Sequence, residues 1–527
     1  MSLLGVTDMN RRKFLKLATL APSLAVVGCK AGTSDAAVFK AAAAPLFIPG
    51  GRGPFGVLAP QGAVRFTAER GSLPLAGGGR TPFMWYRASH NGADYQNPIL
   101  VVKTGQRLNV TLANGLDEGT IIHWHGLHLP GGMDGHPRDT IGPRGEYRYD
   151  FAVKNRGGMY WYHTHAHHLT AKQAYSGLAS FFIVEDEDEL ALREALDLRL
   201  GATDLPLVIQ DKRLDGTGKF LYQPTAMERM MGYLGDTILA NLTPGAFIEV
   251  GARVYRFRLL NGSNARIYKP AFMLRDRKLP YDIIGTDGGL LDKPYRATEA
   301  FLAPGERLDV LFDASGLAAG DEVRLRSLAF DALEGGGMMN GMMGRMSDAR
   351  LPQGQAFDIL TLKRAKGVAA GARRLPSRLS RVAPLATQRA KTRTIDLEMA
   401  RMRWLINGET YREDAVPIEV RRNAVEIWEM RNAEHSMPHP MHLHGFPFQV
   451  LSRHNSPAQV RALGVHGNGR AASDLGWKDT VLVWPGERVR IAVDFSHDFG
   501  GDQLYVFHCH NLEHEDSDMM VNMRVRA

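Results

Sequence analysis

The sequence has little cysteine, no basic block outside its first residues and no histidine in its middle third. Only two of its 527 residues are Cys, Cys29 and Cys509, so a mature chain that starts beyond Cys29 cannot form an internal disulfide. The formal net charge of +8, with no Lys/Arg block past the leader, argues against a nucleic-acid-binding protein. The apolar run that ends at Gly28 is too short to span a bilayer comfortably.

The first residues predict export. Residues 10–16, Asn-Arg-Arg-Lys-Phe-Leu-Lys, form a twin-arginine signature that precedes the short apolar run. Val26-Val27-Gly28-Cys29 matches a lipoprotein processing box with Cys29 as the acylated residue, and the alternative is cleavage near Ala41–Ala44. A mildly basic, disordered N-terminus is the remaining interpretation. We expect a periplasmic or other extracytoplasmic protein that the twin-arginine (Tat) export machinery carries, with a lipid anchor at Cys29 as one of two alternatives.

Histidine is absent between His168 and His435 but dense on both sides of that gap. Four clusters have metal-ligand spacing, and they are His123/His125, His163/His165, His439/His442/His444, and His508-Cys509-His510 with His514 and Met519. Alternate side chains of a strand point to opposite faces, so an extended 508–510 sends Cys509 one way and both imidazoles the other. A thiolate, imidazoles and a weak axial Met are the ligands of a blue copper site.

The chain also repeats itself at long period. Leu108–Asn114, Tyr255–Asn261 and Val425–Asn432 are alternating strands that each end in Asn. A turn that leads into a strand recurs as Pro143–Glu146, Pro304–Arg307 and Pro485–Arg488. The copies predict three β-rich domains, with a short helix over Glu187–Leu200 between the first two and a linker over Arg364–Lys391 between the last two.

The histidine clusters occupy two equivalent positions in the first and third copies, whereas the middle copy has Ser263–Arg266 instead. If the first and third domains meet face to face, eight imidazoles converge at their interface, which suits three copper ions. The four remaining residues, His439, Cys509, His514 and Met519, would form a separate blue site inside the third domain.

These residues resemble those of the three-domain multicopper oxidases, which include laccases and bacterial copper-efflux oxidases. The resemblance covers nearly the whole mature chain and includes the runs Arg256–Arg266 and Thr286–Gly289. It implies an all-β fold of three consecutive cupredoxin-like Greek-key β-sandwich domains. The expected bounds are a leader at 1–44, domain 1 at 45–190, domain 2 without copper ligands at 200–365, and domain 3 with the type 1 copper at 385–527.

The resemblance also implies a role for each ligand and a cofactor set of four copper ions. His439, Cys509 and His514 would bind the type 1 copper with Met519 axial, and the neighbouring Met520 is the alternative axial residue. His123 and His442 would bind the type 2 copper. The type 3 pair would be bound by six residues, namely His125, His163, His165, His444, His508 and His510. A donor would supply single electrons, and O₂ would be reduced to two waters.

Oxygen reduction consumes protons, so carboxylates are expected near the metal centre. Asp134 occupies a position where the family has such an acid, and Glu515 adjoins His514. Both residues could instead be ordinary turn or cap residues. Asp479 could orient a ligand or a substrate.

A Met-rich segment hints at the donor. Five thioethers lie on a Gly-rich stretch, where core packing does not explain them, and they are Met338, Met339, Met342, Met343 and Met346. Thioethers suit Cu(I), and copper-efflux oxidases have similar but longer segments. The alternative is an adaptable lid or a disordered insertion. We therefore favour Cu(I) as donor and a role in copper tolerance, with laccase-type oxidation of phenols and aromatic amines as the second hypothesis. A non-catalytic copper-storage or scaffold protein is the hypothesis from another class.

Overall fold

A computed structural model describes residues 43–49, 55–75, 80–334, 349–369 and 375–527, without the side chains of 367–369. Strands dominate this part of the chain, and they form six sheets. None of its helices is both long enough and apolar enough to pass through a membrane. The Met-rich segment and residues 1–42 of the leader, including Cys29, lie outside the described residues.

The first region forms two sheets, β5-β4-β3-β7-β9 and β2-β6-β11-β10-β8, around one core. An N-terminal strand, β1 (Ala44–Pro45), precedes these two sheets. The strands of the two sheets are β2 (Val57–Leu58), β3 (Ala63–Pro74), β4 (Arg80–His90), β5 (Ala93–Gln96), β6 (Ile99–Lys103), β7 (Arg107–Asn114), β8 (Ile122–His123), β9 (Glu146–Ala152), β10 (Gly158–Thr164) and β11 (Ala179–Glu185). Two helices follow β10 and β11, and they are α1 (Thr170–Ser176) and α2 (Glu187–Leu196).

The middle region also forms two sheets. Its strands are β12 (Asp204–Leu214), β13 (Phe220–Leu221), β14 (Thr237–Ala240), β15 (Thr243–Pro244), β16 (Ala246–Ala252), β17 (Val254–Asn261), β18 (Pro270–Leu274), β19 (Arg277–Leu279), β20 (Tyr281–Thr286), β21 (Gly289–Ala297), β22 (Arg307–Asp313), β23 (Glu322–Ser327) and β24 (Phe357–Ala369), and a helix, α3 (Ala226–Met231), lies between β13 and β14. β24 continues past residue 365, into the stretch predicted to be a linker. β1 extends the middle sheet by pairing in parallel with β16.

The third region repeats the first, with sheets β26-β25-β28-β32-β30 and β27-β34-β33-β29-β31. Its strands are β25 (Lys391–Ala400), β26 (Arg403–Ile406), β27 (Ile418–Arg421), β28 (Val425–Asn432), β29 (His439–Leu443), β30 (Phe448–His454), β31 (Thr480–Val483), β32 (Arg488–Asp494), β33 (Gln503–Cys509) and β34 (Met520–Arg526), with helices α4 (Ala458–Arg461) and α5 (Leu512–Glu515). The predicted all-β class with cupredoxin-like sandwiches is confirmed, and the exact domain bounds stay predictions.

The three Asn-ending strands are confirmed, and the Asn has the same role in each copy. Asn114, Asn261 and Asn432 each donate two side-chain hydrogen bonds to carbonyl groups. In each copy, one of these carbonyls belongs to a residue four or five positions after the Asn in the sequence. The other belongs to the residue two positions before the proline of the repeated turn. Each Asn therefore ties the end of its strand to the loop that follows. In the first and third regions that loop leads to His123 and His439.

The strands that carry the histidines are buried on both faces. Every residue of β10, β29 and β33 is buried except Leu504, which is half-buried. One face of such a strand packs in its own core, and the other is covered by a neighbouring part of the chain. This double burial takes the histidines of the first and third regions out of water.

A cluster of buried ion pairs fixes α2 to the middle sheet. Glu189 on α2 accepts hydrogen bonds from Arg256 at 2.5 and 3.1 Å and from Arg258. Arg258 also holds Asp204 through two bonds of 2.7 Å. Both arginines and Glu189 are fully buried, so every charge depends on its partners.

Glu189→Ala should lower the free energy of unfolding by about 3–5 kcal/mol, because it leaves buried guanidinium groups without a counter-charge. Glu187→Ala, on the exposed side of the same helix, should change it by less than about 0.5 kcal/mol. Denaturant unfolding of the copper-free proteins measures both values. Equal stability of the two variants would show that the ion cluster does not hold the middle region together.

Candidate metal centre

Two equivalent strand pairs carry the histidine clusters. In the first region His163 of β10 lies opposite His123 of β8 in the antiparallel register. In the third region His508 of β33 lies opposite His442 of β29. The four predicted clusters thus occupy matching positions in the two regions.

The two strand pairs meet, and their imidazoles converge. His123 Nε2 lies 3.3 Å from His442 Nε2, and His165 Nε2 lies 3.3 Å from His508 Nε2. The ring nitrogens form three groups whose members all lie within 4.8 Å of one another, and these groups are His123/His125/His442, His125/His163/His510 and His165/His444/His508. The structure therefore brings together all eight histidines that the sequence predicts at this interface.

Backbone carbonyls fix the orientation of several rings. The Nδ1 groups of His123, His442 and His163 donate to the carbonyls of Asp134, Asp479 and Thr164 at 2.7–2.8 Å. A proton on Nδ1 leaves the lone pair on Nε2, which faces the centre. In His125 the Nε2 group lies 2.9 Å from Asp479 Oδ1 and Nδ1 points inward.

Burial keeps these imidazoles neutral. It lowers the pKa of His163 to about 3 and of His165 to about 4, and their neighbours in the cluster contribute to both shifts. The pKa values of His123, His442 and His444 fall well below 6.5 for the same reasons. Neutral imidazole is the form that binds a metal, so the lone pairs are available at physiological pH.

A second site lies inside the third region. Cys509 Sγ is 3.5 Å from both His439 Nδ1 and His514 Nδ1, and all three residues are fully buried. Burial raises the pKa of the Cys509 thiol, so a metal would have to displace its proton. Met519 packs in the same core cluster as Cys509, whereas Met520 packs with Tyr411 and Val506. This packing favours Met519 as the axial residue.

Residues 508–510 connect the two sites. Cys509 packs in the core of the third region, whereas the rings of His508 and His510 lie against His442 at the interface. This is the alternation expected of an extended His-Cys-His stretch. The thiol and the two imidazoles are consequently separated by only a few covalent bonds.

The two predicted carboxylates lie against the histidines. Asp134 Oδ2 accepts a hydrogen bond from His444 Nδ1 at 2.6 Å, and burial raises the pKa of Asp134 well above its usual range. Glu515 lies 3.2 Å from His508 Nδ1 and 3.6 Å from His165 Nε2. Burial opposes ionisation of Glu515, but these two neighbours outweigh it and lower the pKa. The two acids are therefore driven toward opposite protonation states.

Asp479 and an unpredicted arginine brace the interface. Arg307 Nη1 donates to Asp479 Oδ1 at 2.8 Å, and Thr480 Oγ1 donates to the same oxygen at 2.9 Å. Arg307 belongs to the repeated Pro-Gly-Glu-Arg turn, whose third copy ends in the exposed Arg488. The repeat marked the turn, but it could not show that Arg307 reaches across to another region.

Four further histidines lie near the centre without entering its groups. His128 and His168 contact the carbonyls of Gly445 and Asp516, and His136 contacts Asn522. His167 lies 2.9 Å from Asp518. None of the four faces the converging imidazoles, in agreement with their omission from the predicted ligand set.

The residues present fit a set of copper ions. Within the described part of the chain, neither ring nitrogen of the buried His510 has a hydrogen-bond partner. An unpaired buried polar group costs about 1–3 kcal/mol, and a metal bond to one of the two ring nitrogens would remove that part of the cost. The donor types agree, since imidazoles suit Cu(II) and a thiolate with two imidazoles and a thioether suits blue copper.

Comparisons with known proteins agree with this chemistry. Family models described as multicopper oxidase match residues 88–189 and 384–527. A multicopper oxidase of Staphylococcus aureus is 30% identical over 81% of this chain and 81% of its own length. A Bacillus subtilis laccase is 32% identical over 77% of this chain and 79% of its own, and the cell division protein FtsP of Xenorhabdus nematophila is 31% identical over 76% and 77%. The crystal structure of McoA, a multicopper oxidase of Aquifex aeolicus, superposes with a TM-score of 0.81 at 39% identity, covering 92% of this chain and 100% of that one.

Cys509→Ser should abolish the blue thiolate-to-copper absorption and the oxidation of donors, because a hydroxyl is a harder ligand that gives no such band. The histidines at the interface should still bind their copper, which metal analysis and electron paramagnetic resonance would measure. Met520→Leu serves as the control and should remain blue. A blue, active Cys509→Ser protein would contradict the assignment of this thiol as a ligand.

Proposed function

Because this chain belongs to the multicopper oxidase family and is therefore an oxidoreductase, we propose that it couples the one-electron oxidation of a donor to the four-electron reduction of O₂ to water. The observation that supports this most strongly is the coexistence of three converging histidine groups and a separate His439/Cys509/His514 group in one chain. Each group has the donor atoms that its proposed copper requires.

The ligand groups suggest which residues would hold four copper ions. His439, Cys509 and His514, with Met519, would hold the type 1 ion, and the facing His123 and His442 the type 2 ion. The type 3 pair would be divided between two sets of three, His125/His163/His510 and His165/His444/His508. Copper bound in these sites would accept single electrons from a donor and deliver four to O₂.

Proton supply falls to Asp134 and Glu515 in this proposal. Burial raises the pKa of Asp134 and so favours the protonated form that can donate, and Asp134 lies directly against His444. Glu515 lies between His165 and His508, and its lowered pKa favours the carboxylate, which would pass a proton on rather than hold it. Two acids with opposite pKa shifts are a common way to divide proton transfer in an active site.

We favour Cu(I) as the donor, with a role in copper tolerance. Three thioethers, those of Met227, Met231 and Met437, line a cavity of about 490 Å³ that also borders Pro440 and Asn511, the neighbours of His439 and His510. Thioethers bind Cu(I) well and offer little to an organic donor. If the Met338–Met346 segment lies near this cavity, its thioethers would add further ligands for Cu(I). This role of the segment remains a sequence-based prediction.

Two alternative functions have weaker support than Cu(I) oxidation. Laccase-type oxidation of phenols and aromatic amines is the nearer alternative, because a laccase is among the relatives and the cavity has room for a small organic molecule. A copper-storage or scaffold protein is the other, and relatives named cell division protein FtsP give it some weight. The complete ligand groups favour catalysis over a scaffold role.

Export to an extracytoplasmic compartment also remains our proposal. Its support is the twin-arginine signature at residues 10–16, which precedes a short apolar run. Cys29 could carry a lipid, and cleavage near Ala41–Ala44 would instead remove it. Mass spectrometry of the mature N-terminus would separate these two outcomes.

Oxygen consumption by copper-loaded protein tests the donor. We expect turnover with Cu(I) to have a lower KM than turnover with a phenol. Replacing all five methionines of Met338–Met346 with Ser should raise the KM for Cu(I) and leave phenol oxidation unchanged or improved. A phenol preference together with an inert Met segment would favour the laccase hypothesis, and no oxygen consumption with either donor would favour the scaffold protein.

Asp134→Asn should slow oxygen reduction by about a hundredfold or more with little loss of copper, because an amide cannot transfer the proton. Because burial raises the pKa of Asp134, its carboxyl group keeps the proton to a higher pH than an exposed Asp would, and wild-type turnover should fall as the pH rises through that pKa. The variant should lack this limb of the profile. Wild-type rates across the pH range would show that Asp134 serves only to hold His444.

A further inference from the structure

His125 faces the converging imidazoles through the opposite ring nitrogen from two of its neighbours. His123 and His442 donate from Nδ1 to main-chain carbonyls, so their Nε2 lone pairs face the centre. In His125, Nε2 lies 2.9 Å from Asp479 Oδ1, whereas Nδ1 lies 3.4 Å from His163 Nε2. A carboxylate can only accept a hydrogen bond, so Asp479 fixes the proton of His125 on Nε2 and leaves the Nδ1 lone pair for a metal.

Asp479 orients two facing rings at once. Its side chain accepts a hydrogen bond from His125, and its carbonyl accepts one from His442 Nδ1 at 2.8 Å. The two rings stack with their centroids 3.7 Å apart and their planes at 10°. His442 is held by main chain, whereas His125 is held by a side chain that could rotate. The ring of His125 is therefore the one that depends on how the Asp479 carboxylate is directed.

Arg307, from the middle region, fixes the direction of that carboxylate. Its terminal nitrogens each donate to one oxygen of Asp479, Nη1 to Oδ1 at 2.8 Å and Nη2 to Oδ2. Its other three N–H groups donate to the carbonyls of Met159, Gly305 and Asp287. All the donors of the guanidinium are thereby used. Arg307 and Asp479 are both buried, so neither group can turn without losing a hydrogen bond that water would replace.

Two glycines show how closely the turn that carries Arg307 approaches the centre. Gly126, directly after His125, has a φ of +85°, and a Cβ there would come within 2.9 Å of Arg307 Nη2. Gly305 has a φ of +82°, and a Cβ there would lie 2.9 Å from the ring of His510. A larger residue at either position would push the guanidinium or an imidazole away. The middle region consequently touches the converging histidines on two sides.

We propose that Arg307 is a positioning residue for the metal centre, which directs Asp479 so that His125 binds copper through Nδ1. This inference rests on the proposed function, because it concerns a ligand of the same oxygen-reducing centre. The middle region then does more than brace its neighbours, since it selects the tautomer of one ligand. A carboxylate held in this way also makes the imidazole that donates to it a stronger metal ligand.

Asp479→Asn tests the first link. An amide has one acceptor oxygen, and the fork of Arg307 draws that oxygen to itself, so the amide NH₂ group turns to His125 and favours the tautomer with its proton on Nδ1. We expect the affinity of the interface sites for copper to fall about 10- to 100-fold. Titration of the copper-free protein against a chelator of known affinity measures this loss. The absorption of the type 3 pair should weaken relative to the blue band, which reports an intact third region.

Adding Arg307→Met to Asp479→Asn tests whether the guanidinium is what turns the amide. Met has no donor, so the amide oxygen is free to accept from His125 again. We expect the double variant to bind copper at the interface about tenfold more tightly than Asp479→Asn alone, the scale of effect typical of a group that orients a metal ligand. If Arg307 only braced the regions, its loss would add to the damage. Copper affinity no better than that of Asp479→Asn, in a double variant that is still blue, would overturn the proposal.

NMR of the copper-free proteins with labelled histidine nitrogens reads the tautomer directly, and His125→Gln identifies the signal. We expect the proton on Nε2 in the wild-type protein and on Nδ1 in Asp479→Asn. The same tautomer in both proteins would contradict the proposed role of Arg307. This measurement needs neither copper nor turnover, so it also covers a double variant that fails to fold.

Asp211→Asn is the matched control, because it weakens another buried pair of the middle region. Arg266 Nε donates to Asp211 Oδ2 at 2.8 Å, and the other hydrogen bonds of Arg266 go to main-chain carbonyls. This variant should lose stability but keep wild-type copper affinity and the wild-type ratio of the two absorptions. An equal loss of copper in Asp211→Asn would assign the effect to general loosening of the middle region. Failure of the proposed function looks different, since the wild-type protein would then bind copper and consume no oxygen.

Discussion

The chemistry of this protein depends on the contact between two equivalent strand pairs, β8/β10 and β29/β33. Neither pair alone provides enough imidazoles, and only their meeting brings His123 Nε2 within 3.3 Å of His442 Nε2. Such a dense group of rings would repel itself if it were charged. Burial lowers the pKa values and keeps the rings neutral, and carbonyl groups of Asp134, Asp479 and Thr164 turn lone pairs toward the centre.

The middle region has a different task from the two regions that it resembles. Where they carry histidines it carries Ser263–Arg266, and it buries arginines that pair with carboxylates. Arg266 holds Asp211 within the region, and Arg307 reaches out to Asp479 beside His125 and His442. A guanidinium can satisfy several acceptors at once, so these arginines can fix one region against another. The middle region thus supports the centre without contributing a histidine to it.

The segment from Cys509 to Met519 connects the proposed type 1 site with the converging histidines at the interface. Cys509 and His514 belong to one proposed site, and His508 and His510 belong to the other. The Met230 carbonyl covers His514 by accepting a hydrogen bond from its Nε2, and Glu513 anchors the chain just beyond Met230 by accepting one from the N–H of Tyr233. Glu515 lies between His165 and His508. One short stretch of chain would therefore set the geometry of the proposed electron path, of the cover over His514 and of one proposed proton-transfer group. A substitution that moves this segment would therefore change the geometry of all three.

The sequence alone determined the ligand types, their grouping and the threefold repeat, because these depend on local spacing. The alternation of a strand assigns Cys509 and His508 to opposite faces wherever that strand lies, and a strand ending in Asn can be recognised in each copy. That the histidines of the first and third copies face each other was inferred only from the symmetry between the copies. The structure supplied the actual pairings and the opposite pKa shifts of Asp134 and Glu515. The roles of Arg307 and the Met230 carbonyl could not be predicted, since their partners lie more than a hundred residues away and a main-chain carbonyl has no sequence signal. Tertiary packing decided them, because burial and hydrogen-bond direction arise only when distant segments meet.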